Sequence, residues 1–157
     1  MNALLLAPML LQGAVIAVDE FYCHWRRGLD RWERIGHPLD TLTFIACFAW
    51  ALALPYGREN LLIYAGIAAF SSVFITKDEW VHAASCDAFE QWLHALLFVL
   101  HPLVLVSVAV LWAAQAGALP MGQDVGWLWR AIGVQCGLMV LFGGYQIAYW
   151  GWFARSR

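Results

Sequence analysis

The sequence predicts an all-α, polytopic membrane bundle of about five transmembrane helices, forming a single integral membrane domain over residues 1–157. Three observations predict it. Hydrophobic residues make up 62% of the chain and charged residues 13%, about half the charged share of a soluble globular domain. Apolar runs recur at lengths suited to crossing roughly 30 Å of hydrocarbon. All five histidines and nine of the eleven carboxylates gather in two windows, 19–40 and 78–101. Ionisable groups at the edge of a bilayer cost free energy unless they are paired, solvated or metal-bound, so this concentration points to a site.

The predicted spans run over about 3–22, 39–55, 60–76, 91–114 and 128–152. The first has an alternative reading as a cleaved signal peptide, with Val15 and Ala17 at the cleavage site; the lack of Lys or Arg ahead of the run argues against it. The second and third are short, which leaves room for a hairpin that only partly crosses, turning at Pro55-Tyr56-Gly57. The fourth and fifth are long enough to cross with some tilt.

An odd number of spans puts the termini on opposite sides, and basic residues accumulate on the cytoplasmic side. With the N-terminus outside, Arg26, Arg27, Arg31, Arg34, Lys77, Arg155 and Arg157 fall on the cytoplasmic side, against Arg58 and Arg130 outside. This predicts an outer N-terminus, a cytoplasmic C-terminus and both polar windows on the cytoplasmic face. Trp25, Trp32, Trp80, Trp127, Trp129, Trp150 and Trp152 flank the span ends and read as an interfacial belt. A net charge of -2 implies nothing about nucleic acid, and none is expected as a partner.

The two windows echo each other. Asp19-Glu20-Phe21-Tyr22-Cys23-His24 is answered by Asp78-Glu79-Trp80-Val81-His82, and His37-Pro38-Leu39 by His101-Pro102-Leu103. A pseudo-repeat of spans one and two in spans three and four would give two equivalent half-sites; the match is one residue out of register, and chance similarity is the alternative.

Helical spacing selects the candidate ligands. Glu20 and His24, and Asp78 and His82, are i, i+4; Glu79 and His82 are i, i+3. Glu90, His94 and His101 lie on one stripe of span four, and His37 opens span two. The predicted metal ligands are Glu20, His24, His37, Asp78, Glu79, His82, Glu90, His94 and His101. Asp19, Asp30, Glu33 and Asp87 read more simply as arginine partners or helix caps, and His37 before Pro38 has the alternative of shaping a turn. Cys47 and Cys136 read as buried thiols; Cys23 and Cys86 sit in the polar windows as minor ligand candidates.

Paired Glu and His on neighbouring helices are how bundles hold two iron or manganese ions, and the mixed donor set suits iron, manganese or zinc. The leading expectation is therefore a membrane enzyme with two iron ions that hydroxylates or desaturates an apolar or lipid substrate, drawing electrons from a separate donor. With only five histidines, the chain lacks the eight-histidine signature of membrane desaturases and hydroxylases. A zinc hydrolase and a b-type haem or metal-carrying transport protein without chemistry are the alternatives.

Overall fold

The structure is a computed structural model that describes residues 2–121 and 125–154. Arg155 and Arg157, two residues of the orientation count, lie outside the described residues. Among the described residues there are helices and no strands. Five helices are long and apolar enough to cross a membrane: α1 (Leu4–Arg27), α2 (Glu33–Ala53), α3 (Arg58–Ser85), α4 (Ala88–Gln115) and α5 (Val125–Phe153).

The second and third helices are longer than their apolar runs suggested. They hold 21 and 28 residues, about 31 and 42 Å at 1.5 Å per residue. Most of each polar window lies in helix ends, with only residues 28–32 and 86–87 connecting them. In α3 the chain passes through a 3-10 turn at Ile75–Asp78 and continues as α-helix over Glu79–Ser85. The partly crossing hairpin is therefore replaced by two full-length helices, and the expected turn at Pro55-Tyr56-Gly57 joins them.

Short connections make the chain run up and down, so α1, α3 and α5 finish, and α2 and α4 begin, at the same end of the bundle. At the first of these junctions Gly28 has φ +81°, a left-handed conformation that stops α1 and that glycine adopts without a Cβ penalty. Gly36 in α2 has a different role. A Cβ there would come within 2.7 Å of the Asp78 carboxylate, so glycine lets the end of α3 press against α2.

Helix α4 packs against each of the other four. The core away from the polar end is built from Phe44, Phe48, Tyr64, Val108, Leu111 and Leu128, with their neighbours. Val15 packs beside Leu93 and Leu100 of α4, which makes the first span a working part of the bundle. His37-Pro38 lies inside α2 rather than in a turn, and His101-Pro102 lies inside α4.

Two turns are wider than α geometry. Asp19–His24 in α1 and Tyr149–Phe153 in α5 are π-helical, a form that closes hydrogen bonds to the fifth residue and is found frequently at functional sites.

Candidate metal centre

The π turn in α1 decides which side chains face inward. In an α-helix, residues five apart diverge by well over 100°; in a π turn they stack. His24 therefore meets two successive carboxylates. Its Nδ1 lies 3.3 Å from Glu20 Oε2 and its Nε2 lies 3.3 Å from Asp19 Oδ2. All three residues are buried, at 1–5% exposure.

Around this pair the helix ends assemble two adjoining groups. Asp19 and His24 of α1 converge with Glu90 and His94 of α4; Glu33 and His37 of α2 converge with His82 of α3. Within each group the donor atoms lie within 4.8 Å of one another. The groups touch through their rings, with centroids 4.9 Å apart for His24 and His37 and 4.1 Å for His82 and His94. Cys86 joins His82 and His94 in a third, overlapping set.

The separations fit close imidazole–carboxylate pairs and equally fit donors arranged around an ion. His24 Nε2 lies 3.4 Å from Glu90 Oε1, His82 Nε2 lies 3.3 Å from Glu33 Oε1, and His94 Nε2 lies 3.3 Å from Asp19 Oδ1. Two ligands each about 2.0–2.1 Å from one ion stand about 2.8–3.0 Å apart in octahedral and about 3.3–3.4 Å apart in tetrahedral geometry. Asp19 Oδ1, His24 Nε2, His37 Nε2 and both ring nitrogens of His82 and His94 are enclosed and make no hydrogen bond. Buried polar atoms are nearly always hydrogen-bonded, so a cluster of seven orphans calls for a ligand.

A layer of donors fixes this constellation from behind. Glu20 Oε1 accepts hydrogen bonds from the Tyr145 hydroxyl at 2.9 Å and Trp150 Nε1 at 2.6 Å, leaving Oε2 to hold the His24 ring. A carboxylate behind an imidazole sets its tautomer and orientation. Arg27 grips both outer carboxylates: its guanidinium donates to Glu33 through Nη1 and Nη2 at 2.9 and 2.8 Å, and to Glu90 through Nη2 at 2.8 Å.

The predicted residues thus separate. His24, His37, His82, Glu90 and His94 lie within the two groups. Glu20 lies behind His24. Asp78 pairs with Lys77 and accepts from the Trp32 indole. Glu79 turns outward with its side chain 48% exposed, its carboxylate 3.6 Å from His82 Nδ1. His101 lies deeper, bonded through Nε2 to Ser71 at 2.9 Å and packed on Phe44. The two halves of the echo therefore have unlike surroundings: Asp19 faces imidazoles, while Asp78 faces a lysine.

Sequence reasoning set Asp19 and Glu33 aside. Glu33 is indeed an arginine partner, yet it is also fully buried beside His82; Asp19 contacts imidazoles and no arginine. Asp87 caps α4 as expected, accepting from Glu90 N at 2.9 Å, and Asp30 is exposed. Trp150 leaves the predicted belt, being 4% exposed and turned onto Glu20. Cys23 packs among Val15, Leu93 and Leu100.

A cavity of about 130 Å³ opens from the cluster into the bundle. Asp19, His24, His37, His82 and His94 form one end, and apolar residues including Met9, Ile16, Leu97, Phe98, Met139 and Phe142 line the rest. No family model, curated protein or solved structure matches the chain.

Proposed function

We propose that this chain is a membrane-embedded oxidoreductase whose His/carboxylate cluster holds two metal ions, iron in the first place, and acts on an apolar substrate entering from the bilayer. The observation that carries the reading is the convergence of enclosed imidazole nitrogens and carboxylate oxygens from four helices, seven of them without a hydrogen bond, beside an apolar chamber. Charge supports bound cations. At this end the buried carboxylates Asp19, Glu20, Glu33, Asp78 and Glu90 outnumber Arg27 and Lys77, the cations paired with them, and buried charge is tolerated only when compensated.

Carboxylates mixed with imidazoles favour iron or manganese. The packing of the imidazoles ring against ring, with centroids 4.1–6.4 Å apart, favours ions over haem, because a macrocycle needs an open slot between its axial ligands. An iron pair supplies oxygen activation. The chain's own residues supply the rest: Glu20 orients His24, Arg27 holds Glu33 and Glu90, and the chamber excludes water from the reacting carbon. Hydroxylation balances when one C–H bond becomes C–OH, the second oxygen atom leaves as water, and a separate donor provides two electrons and two protons.

The seven-to-two distribution of basic residues supports a cytoplasmic position for the cluster, where such a donor has access. A second reading has its own observation. His82, Cys86 and His94 offer two imidazoles and a thiol, a set that suits zinc, and a zinc ion there with a neighbouring glutamate as general base would make a hydrolase.

Metal analysis of the purified protein, followed by anaerobic reduction and exposure to air, separates the readings. Two irons per chain with a Mössbauer signal that changes on reduction and again in air is the expected result. Stoichiometric zinc with no response to either treatment would overturn the oxidoreductase reading in favour of the hydrolase.

A further inference from the structure

The chamber is apolar along most of its length, yet three glutamines line it: Gln12, Gln135 and Gln146. Gln12 is 5% exposed, and its Oε1 is enclosed without a hydrogen-bond partner. Gln146 is equally buried and accepts one hydrogen bond, from the Thr41 hydroxyl at 2.7 Å. An unmet amide in apolar surroundings is unfavourable, and polar groups kept at membrane depth mark ligand paths by default. Gln12 stands seven residues before Asp19 on α1, about 10 Å along the helix, with Ile16 between them on the chamber wall.

An amide offers a donor and an acceptor side by side. The smallest complement to both is a hydroxyl, with one O–H donor and acceptor lone pairs. A hydrocarbon leaves the amide oxygen unmet, and an ionised carboxylate has no O–H to donate to it. We propose that the chamber binds a neutral apolar alcohol, with its hydroxyl on Gln12 and its hydrocarbon part reaching the His/carboxylate cluster. Oxidation would then fall on a carbon about 10 Å from the hydroxyl; this consequence rests on the metal reading, whereas the binding itself does not.

The test uses the purified full chain with its bound metal in lipid nanodiscs, titrated with radiolabelled 1-dodecanol, dodecane and dodecanoate. Saturable binding of one dodecanol per chain is expected, with the other two at least about tenfold weaker, since a site that hydrogen-bonds a hydroxyl rejects analogues lacking it. Gln12→Leu should lower dodecanol affinity about tenfold, leave dodecane unchanged, and raise Tm by removing an unmet amide. Gln12→Asn, which keeps the amide one methylene back, should recover part of the alcohol preference. Equal binding of dodecanol and dodecane, equal dodecanol binding by Gln12→Leu, a fall in its Tm, or a preference for dodecanoate would each overturn the proposal. Metal content measured on the same samples keeps the two readings apart. Alcohol selectivity in a metal-free protein sinks the metal reading alone, and bound metal without selectivity sinks this one alone.

Discussion

The two ends of the bundle treat buried polar groups in opposite ways. At the end holding the 54–57 turn, Trp50 Nε1 donates to the Asn60 carbonyl, Asn60 Nδ2 to Pro55, Trp112 Nε1 to Leu54 and the Tyr64 hydroxyl to Leu105, all between 2.7 and 3.1 Å. Each side chain closes on a backbone carbonyl. At the other end, imidazoles and carboxylates approach one another to 3.3–3.4 Å and leave seven atoms without hydrogen bonds. Satisfied polar groups stabilise a fold, whereas buried unsatisfied ones cost stability and call for a reason of their own. One end reads as built for stability and the other for binding.

Substitutions that separate stability from metal binding sharpen or break this comparison. The largest expected effect is at the closed end: Phe48→Ala, at a side chain with no exposure, should cost about 3–5 kcal/mol in unfolding free energy while metal per folded chain stays constant. A loss of metal in proportion to stability would show that the two ends are not independent. Next is the double variant His24→Ala/His94→Ala, expected to weaken metal binding more than about 100-fold, beyond what loss of a supporting partner costs. Competition against a chelator measures this, and retained stoichiometric metal would remove the binding end altogether. Glu20→Gln acts one layer further out. It should weaken metal binding about 10- to 100-fold with little change in helix content, because Tyr145 and Trp150 still have an oxygen to bond. The smallest effect is at Glu79, whose side chain is half exposed: Glu79→Gln should stay within about 0.5 kcal/mol of the parent and keep its metal. A strong loss of metal there would place the binding end further out than the geometry does.

Much of the bundle was legible because hydrocarbon thickness is a stringent ruler. The five long apolar helices follow from apolar length and the turn from Pro55-Tyr56-Gly57, while the helix ends at the polar windows lie further out, because polar residues such as Asp78 and Glu79 extend helices that protein neighbours cover on one side. The site was legible by residue type more than by role. Asp19 escaped because spacing arguments assume α geometry, and its approach to His24 needs the π turn. Glu79 has the right spacing to His82, but spacing does not say which flank of the helix meets its neighbours. His101 finds Ser71 and Glu20 finds Tyr145 and Trp150 across long stretches of chain, and such pairings have no local signature in a single sequence.

The widened turn at Asp19–His24 has a consequence for biosynthesis. A π turn gives up regular α hydrogen bonds and relies on tertiary contacts to persist. The contacts that hold Glu20 come from Tyr145 and Trp150, 125 and 130 residues later. At roughly 5–20 residues per second of synthesis, the first helix waits on the order of ten seconds for the fifth to arrive. Until then its acidic turn stands without those partners, and a nascent chain stalled before α5 would contain His24, His37, His82 and His94 and still lack the groups that fix Glu20.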